Sequence, residues 1–395
     1  MQRILIVSTH PVSTNGYSNV VYNLIKQFGI YDKFDIVVYG FHKIENESRS
    51  TYLNDMKKRI IIHDVGKTFG FEDIDTFIRL SKPDIVFIYN DAYVVSQFLN
   101  CINNSESNFR IIVYFDQVYD FTKPYYIKCL NDKVDHVCVF SNCWKEALIN
   151  DGLLIDCSVI EHGLSELVSE NIQECSKNIL GLDSQDFHIL NLNRNQPRKR
   201  WDVTLMALAH LYKNYEIYDC RVKLIVGTSN EGAWNLKELL NEELKGTYIC
   251  ADDVLIFVSN PQALDDKTIT MLYDAADIGL NTCDGEGFGL CNTEHAKCGK
   301  PQIIPRIGSF KDLFDDTCSK MCDPIASYYV DNTRDLIGGK ASLIDYKDVA
   351  DAMYQYYIDE DTRLKHGILS KIKLSKYTWD RCTQMFKKLF ENNYS

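Results

Sequence analysis

The run Ile278-Gly279-Leu280-Asn281, followed by Asp284-Gly285-Glu286-Gly287-Phe288-Gly289-Leu290-Cys291-Asn292-Thr293-Glu294, reads as a short buried strand that turns over three glycines into a helix. The helix is expected to stop at Gly299, with Pro301 just beyond. Glycines between a strand and a helix let a ligand approach the backbone. The unpaired N–H groups and the positive dipole end of the helix then favour an anion such as a diphosphate. Glu286 lies in the loop ahead of the helix and Glu294 within it, so the two carboxylates can reach different parts of one ligand. Acidic residues at a helix start can equally do no more than complement its dipole.

Outward from this stretch, short β-branched runs alternate with helical patterns along the chain, the signature of βαβ units and parallel sheets. A first group of strands is predicted at Arg3–Ser8, Phe34–Tyr39, Arg59–His63, Asp84–Tyr89, Arg110–Phe115 and His136–Phe140. A second is predicted at Phe187–Leu192, Arg221–Gly227, Val254–Val258, Ile278–Asn281 and Gln302–Pro305, with a polar linker near Leu164–Gln185. The runs are nearly all apolar, as strands covered on both faces should be. The expectation is an α/β protein of two doubly wound, Rossmann-like parallel-sheet domains facing a cleft. The domains are placed at residues 1–168 and 169–376. Ligands of such sheets bind beyond the carboxyl ends of the strands. From Val349 on the pattern is helical. The last segment, 377–395, carries Trp379, Cys382, Met385, Phe386, Leu389 and Phe390 as a helical-period stripe that needs a surface to cover.

The 395 residues, 45% hydrophobic and 25% charged, supply enough apolar material for two cores, so a small single domain or a disordered chain is excluded. The net charge of −12 repels polyanions. Nucleic acid is therefore not an expected partner, and any phosphate site must be local. No apolar run approaches the roughly 18 residues a membrane helix needs. Met1-Gln2-Arg3-Ile4 leads into a strand rather than a signal-peptide core, and a soluble, cytoplasmic protein is expected. The 14 cysteines are scattered without a C-x-x-C pair and read as small hydrophobes. Cys318 with Cys322 has helical spacing but no histidine at zinc-site intervals.

A local anion site is available at Asn193-Arg194-Asn195-Gln196-Pro197-Arg198-Lys199-Arg200, four cations in the loop after the strand Phe187–Leu192. Arginine can grip a diphosphate bidentately and lysine can sit beside it as a point charge.

Together the two clusters carry a resemblance. Val258 to Asp312 resembles the carboxyl-terminal domain of retaining glycosyltransferases of the GT-B fold, family 4 in particular. Glu286 to Glu294 has the spacing of that family's E-x7-E motif. The flanks Leu272-Tyr273-Asp274-Ala275-Ala276-Asp277, Cys298-Gly299-Lys300-Pro301 and Gly308-Ser309-Phe310-Lys311-Asp312 match as well. So do Arg194 with Lys199, and Tyr377-Thr378-Trp379 at the entry to the last helix. Richness in Tyr, Asn, Ile and Cys also resembles glycosyltransferases of large DNA viruses such as the chlorella viruses. On that reading the location would be host cytoplasm.

The resemblance implies a nucleoside-diphosphate sugar as donor, GDP-mannose first and UDP-sugars next, and a glycan, glycoprotein or other hydroxyl as acceptor. Transfer of the hexose would retain anomeric configuration, without a metal or other cofactor. Glu286 would contact the sugar, Glu294 the ribose, and the backbone of Gly287, Phe288, Gly289 and Leu290 the diphosphate. Arg194 and Lys199 would neutralise the leaving diphosphate, and Val258, Ser259 and Asn260 would pass beside the base. The last helix would cross back to the amino-terminal domain. Gly16 belongs to the first-strand loop His10-Pro11-Val12-Ser13-Thr14-Asn15-Gly16-Tyr17, where Asn15 replaces the family's other glycine and could adopt left-handed backbone. Phe115-Asp116 stands where the family often has His-Asp, which makes Asp116 the candidate to contact sugar or acceptor. Arg200 replaces a glycine and would either add a cation or face solvent. His162 is read as structural. The alternatives are a sugar-nucleotide epimerase or phosphorylase on the same fold, or a non-catalytic sugar-nucleotide or glycan-binding protein. A dinucleotide oxidoreductase is disfavoured, because no G-x-G-x-x-G follows the first strand.

Overall fold

The computed structural model describes the chain except residues 14, 30–32, 45–48, 52, 54–59, 104–107, 166–172, 218, 262–263 and 392–395, and the side chains of 173–175. The boundary expected at 168/169, the loop residue Thr14, the strand start at Arg59 and part of the linker lie outside the described residues.

The chain divides into two units, of which the first comprises Met1–Gly163, Val330–Gly339 and Tyr377–Ser395. Its core is a parallel seven-stranded sheet of β1 (Gln2–Thr9), β2 (Phe34–Phe41), β3 (Ile60–Gly66), β4 (Ile85–Asp91), β5 (Arg110–Asp116), β6 (His136–Val139) and β7 (Cys157–Val159). The order is β3-β2-β1-β4-β5-β6-β7. The interiors of β1, β2, β4, β5 and β6 are buried on both faces, which is why their sequences run apolar rather than alternating, whereas the edge strands β3 and β7 are partly exposed. The helix Trp379–Glu391 places its apolar stripe on this sheet. Phe386 meets Phe87 at 5.1 Å, and Phe390 lies 5.8 Å from Phe28 and 6.0 Å from Phe34. The orphan stripe of the sequence thus covers the amino-terminal unit, as expected. His162 sits in the same core, its Nδ1 2.7 Å from the Tyr114 hydroxyl, and burial pushes its pKa down to about 3.

The second unit, Leu164–Tyr329 with Lys340–Lys376, holds a parallel six-stranded sheet. Its strands are β8 (Phe187–Asn191), β9 (Val222–Val226), β10 (Leu255–Phe257), β11 (Ile278–Leu280), β12 (Gln302–Pro305) and β13 (Lys320–Cys322), in the order β10-β9-β8-β11-β12-β13. A separate two-stranded sheet pairs β14 (Pro324–Val330) with β15 (Gly339–Ile344).

Three features depart from the sequence reading. β13 is a short edge strand and β14 is largely exposed, so neither carries the apolar run that marks a buried strand, whereas β7 lies where a strand ending at Ile160 is expected. Cys322 lies in β13, so its four-residue spacing from Cys318 is not helical. Val330–Gly339, counted by sequence with the second domain, packs in the first unit. There the Tyr126 hydroxyl donates to the Leu336 carbonyl at 2.7 Å and the Tyr119 hydroxyl to Asp335 at 2.8 Å.

Candidate functional site

In an open parallel sheet the crevice forms where the strand order reverses, because adjacent strands there send their following helices to opposite faces. In the second unit that point lies between β8 and β11, whose Ile189 and Ile278 are paired. The basic loop follows β8 and the glycine loop follows β11. Two sequence clusters about 90 residues apart are therefore neighbours at one sheet edge.

The neighbours are bonded. The Asp284 N–H donates to the Arg198 carbonyl at 3.1 Å, and the Arg198 guanidinium donates to the Gly285 carbonyl at 2.5 Å. Thr282 Oγ1 donates to the Arg200 carbonyl at 2.9 Å. Lys199 donates to Glu286 Oε2, the Arg198 guanidinium lies 3.6 Å from Glu286 Oε1, and Asn281 Nδ2 donates to Oε2 at 3.2 Å. Glu286 and Lys199 are both nearly sealed from solvent. Burial pushes the Glu286 carboxyl up, but the Lys199 and Arg198 charges and the hydrogen bonds from Lys199 and Asn281 outweigh it and hold the group down at about 2. The carboxylate is thus ionised at neutral pH and is fixed from three sides.

The glycine loop ends at Gly289, which occupies the left-handed region at φ 77° as N-cap of the helix Leu290–Lys297. A Cβ there would meet the Phe310 ring at 2.3 Å, so this glycine is required by both backbone and space. Glu294, on the second turn of the helix, accepts from the Tyr273 hydroxyl at 3.2 Å. The next residue, His295, stacks on Tyr273, and burial pushes its pKa down to about 3.

Lys199, Glu286, Gly287, Phe288, Gly289, Leu290 and Glu294 lie on this one edge. Arg194 is in the same loop, its carbonyl accepting from Trp201 Nε1 at 3.2 Å and its side chain exposed. Val258, Ser259 and Asn260 follow β10, two strands from β8, with Asn260 left-handed at φ 48°. Arg200 corrects the sequence reading. It sits left-handed at φ 48°, which explains a glycine at this position in similar sequences, and its guanidinium pairs with Asp202 at 2.6 Å rather than facing solvent. Sequence reasoning also passed over Arg198 and Asn281 as partners of Glu286, and Tyr273 as the partner of Glu294. Arg198 was visible as one more cation in the basic run, whereas Asn281 was signalled only by a polar residue closing an apolar strand.

In the first unit the reversal lies between β1 and β4. Asn15 caps the helix Gly16–Phe28 in extended conformation, its Oδ1 accepting from the Ser18 N–H at 2.9 Å, so the left-handed turn foreseen for it is not used. A Cβ at Gly16 would meet nothing within 4 Å. Asp116 ends β5 and accepts from the Tyr17 hydroxyl at 2.7 Å. Tyr17 was not singled out by sequence, although it directly follows Gly16. Burial first, and then Asp116, push its phenol pKa well up, so it stays a neutral donor. Among the described residues, no group of three or more His, Cys, Asp or Glu is placed to hold a metal ion, and no helix is long and apolar enough to cross a membrane.

No family model matches the chain. Among curated proteins it is 29% identical over 229 residues to the D-inositol 3-phosphate glycosyltransferase of Corynebacterium jeikeium (strain K411), covering 56% of this chain and 48% of that protein. The chain spans about half the length of the curated relatives it matches. Among solved structures, the sucrose-phosphate synthase of Thermosynechococcus elongatus superposes with a TM-score of 0.72 at 14% identity, covering 99% of this chain and 98% of that one. HepE of Anabaena, solved with UDP and glucose, superposes with a TM-score of 0.72 at 14% identity over 100% of both chains. These likenesses, together with the two parallel sheets, show the fold: two Rossmann-like domains of the kind found in GT-B glycosyltransferases.

Proposed function

We propose that the chain transfers a hexose from a nucleoside-diphosphate sugar to a hydroxyl acceptor with retention of anomeric configuration, as a hexosyltransferase of the family 4 type. The observation that carries this reading is the meeting of Lys199 and Arg198 with Glu286 at the start of the helix Leu290–Lys297. Cations and free helix N–H groups at that edge suit a diphosphate, and a buried ionised carboxylate beside them suits sugar hydroxyls.

In this reading Arg194 and Lys199 stabilise the negative charge that grows on the leaving nucleoside diphosphate, a term that commonly dominates such catalysis. The backbone of Gly287, Phe288, Gly289 and Leu290 holds the diphosphate, Glu286 orients the sugar, Glu294 holds the ribose, and Val258, Ser259 and Asn260 flank the base. The acceptor attacks from the face the leaving group departs, and its proton passes to the diphosphate. Asp116, held by Tyr17, contacts sugar or acceptor. No metal is assigned a role.

The donor is a GDP- or UDP-linked hexose. GDP-mannose follows from the family resemblance, and the UDP held by HepE supports testing UDP-glucose beside it. The acceptor is a glycan, a glycoprotein or another hydroxyl. The name of the Corynebacterium relative adds inositol phosphate to those to be tried. A cytoplasmic site of action is supported by the thirteen described cysteines, all of them free thiols.

The test is thermal stability of the chain with GDP, UDP, ADP and their hexose conjugates, followed by transfer assays with whichever base stabilises it. Stabilisation by one base, and sugar transfer from its conjugate with retention, is expected. The absence of stabilisation by all of them at millimolar concentrations would refute the reading.

A further inference from the structure

A row of three amides runs through the second unit beneath Glu286. Asn281, Asn292 and Gln302 come from the residue just after β11, the helix Leu290–Lys297 and the start of β12, and each is at most 4% exposed. Asn281 Nδ2 donates to Glu286 Oε2 at 3.2 Å and to Asn292 Oδ1 at 2.9 Å. Asn292 Nδ2 donates to Gln302 Oε1 at 2.9 Å, and Gln302 Nε2 donates to the Lys300 carbonyl at 3.0 Å. At the other end the Cys283 N–H donates to Asn281 Oδ1 at 2.9 Å.

Both ends of the row are therefore backbone groups of defined polarity, a donor at Cys283 and an acceptor at Lys300. That fixes the orientation of every amide between them, because a flip of any one would set donor against donor or acceptor against acceptor. The fold makes room for the row. Gly279 pairs with Gln302 across the two strands, and a Cβ at 279 would lie 2.0 Å from Gln302 Oε1. Interior positions of a parallel sheet are ordinarily apolar, and buried amides cost stability unless fully bonded. Packing alone would be served by three aliphatic side chains. What distinguishes the row is that its first amide, Asn281, also donates to the carboxylate of Glu286.

We propose that Asn281, held in one orientation by Asn292 and Gln302, is the positioning residue of Glu286: it holds Oε2, the oxygen that Lys199 also contacts, and so sets the approach of the carboxylate to the donor sugar. The proposal rests on the functional reading above. Asn281 is 1% exposed and acts through Glu286 rather than by touching substrate.

The test uses the full chain and the donor found by the nucleotide panel. Asn281→Val removes the bond to Glu286. The triple variant Asn281→Val, Asn292→Val, Gln302→Val removes the row without orphaning a side-chain amide, which guards against a single variant that fails to fold. Loss of one hydrogen bond to a charged group corresponds to a fall in kcat of about 10- to 100-fold in both variants. The Kd for the free nucleoside diphosphate should change by less than about twofold, since the row does not touch the diphosphate side. A folded variant with unchanged kcat, or parallel losses in kcat and nucleotide binding, overturns the proposal. A double-mutant cycle of Asn281→Val with Glu286→Gln, read as unfolding stability, needs no donor. Coupling is expected, and additivity overturns the proposal. A wild type that transfers no sugar overturns the functional reading and the proposal with it, whereas an active wild type beside an equally active Asn281→Val overturns the proposal alone.

Discussion

Replacing Lys199 by Met keeps the length of the side chain and removes the ammonium that faces Glu286. Lys199 and Glu286 are 9% and 8% exposed, so water does not move in cheaply to replace the lost charge. Held at about 2 against an ordinary value of 4.5, the Glu286 carboxylate contributes roughly 3 kcal/mol to the folded state. Because the folded value is the lower one, that contribution is complete above pH 4.5 and is lost as the pH falls toward 2. Arg198 at 3.6 Å and the Asn281 amide survive the substitution and retain part of it. Lys199→Met should then cost about 2 to 3 kcal/mol at pH 7, a little under the usual loss when one partner of a buried pair is removed.

The assay is urea unfolding of the full chain followed by hydrogen exchange at the amides of Leu290–Lys297, which reports the second unit without assuming that both units unfold together. Two signatures separate charge from packing. The deficit should shrink between pH 4.5 and pH 3, as Glu286 takes up a proton, and Lys199→Met with Glu286→Gln should recover most of the stability because no buried charge is left unpaired. A single variant as stable as wild type at pH 7, or a double variant no better than the single one, would refute the electrostatic account. The same single variant should weaken nucleoside diphosphate binding and slow transfer by about 2 to 4 kcal/mol of barrier if Lys199 also serves the leaving group.

Gly289→Ala forces a Cβ into left-handed backbone and against the Phe310 ring. A loss of roughly 2 to 5 kcal/mol is expected from strain and overpacking together, checked by thermal unfolding. Arg200→Gly relieves the left-handed strain but gives up the Asp202 pair, so its stability should stay within about 1 kcal/mol of wild type by the same measurement. His162 and His295, one in each unit, are held neutral by burial at about 3 against an ordinary 6.5. Each contribution is present above pH 6.5 and fades as the pH falls toward 3, by about 1.4 kcal/mol per pH unit for each histidine. Thermal unfolding at pH 7 and pH 5 should show both transitions lowered at pH 5, and His162→Gln should flatten the dependence of the first unit only.

How much of this was readable in advance follows from which signals are local. β1, β4, β5 and β8 are buried on both faces and announce themselves as apolar runs. The stripe from Trp379 to Phe390 demanded a partner surface and found Phe28, Phe34 and Phe87. The exposed β14 and the three-residue edge β13 carry no such imprint, because their stability comes from neighbours rather than from their own apolar faces. The segment Val330–Gly339 was assigned by sequence proximity, whereas its bonds to Tyr119 and Tyr126 are decided by tertiary placement.

The site divides along the same line. Glu286, Glu294, Gly289 and Lys199 were readable as candidates because each belongs to a recognisable pattern at a fixed distance from a strand end. Arg198 and Asn281 were not, because their importance lies in where the side chain goes after the strands align. In the basic run any of four cations could have met Glu286. The structure gives that place to Lys199 and Arg198, leaves Arg194 exposed, and turns Arg200 toward Asp202. The choice follows from the short 3-10 turn Pro197–Lys199, which brings Arg198 and Lys199 to the two oxygens of Glu286, and from the left-handed Arg200 that ends it and turns the next side chain to Asp202. Spacing in the sequence therefore located the loop, while the backbone at two residues decided which of its charges faces the carboxylate. Glycine occupies φ 48° more easily than arginine does, so Arg200→Gly should keep the turn and leave Lys199 and Arg198 on Glu286, and nucleotide binding equal to wild type in this variant would show that the fourth cation of the run does not serve the site.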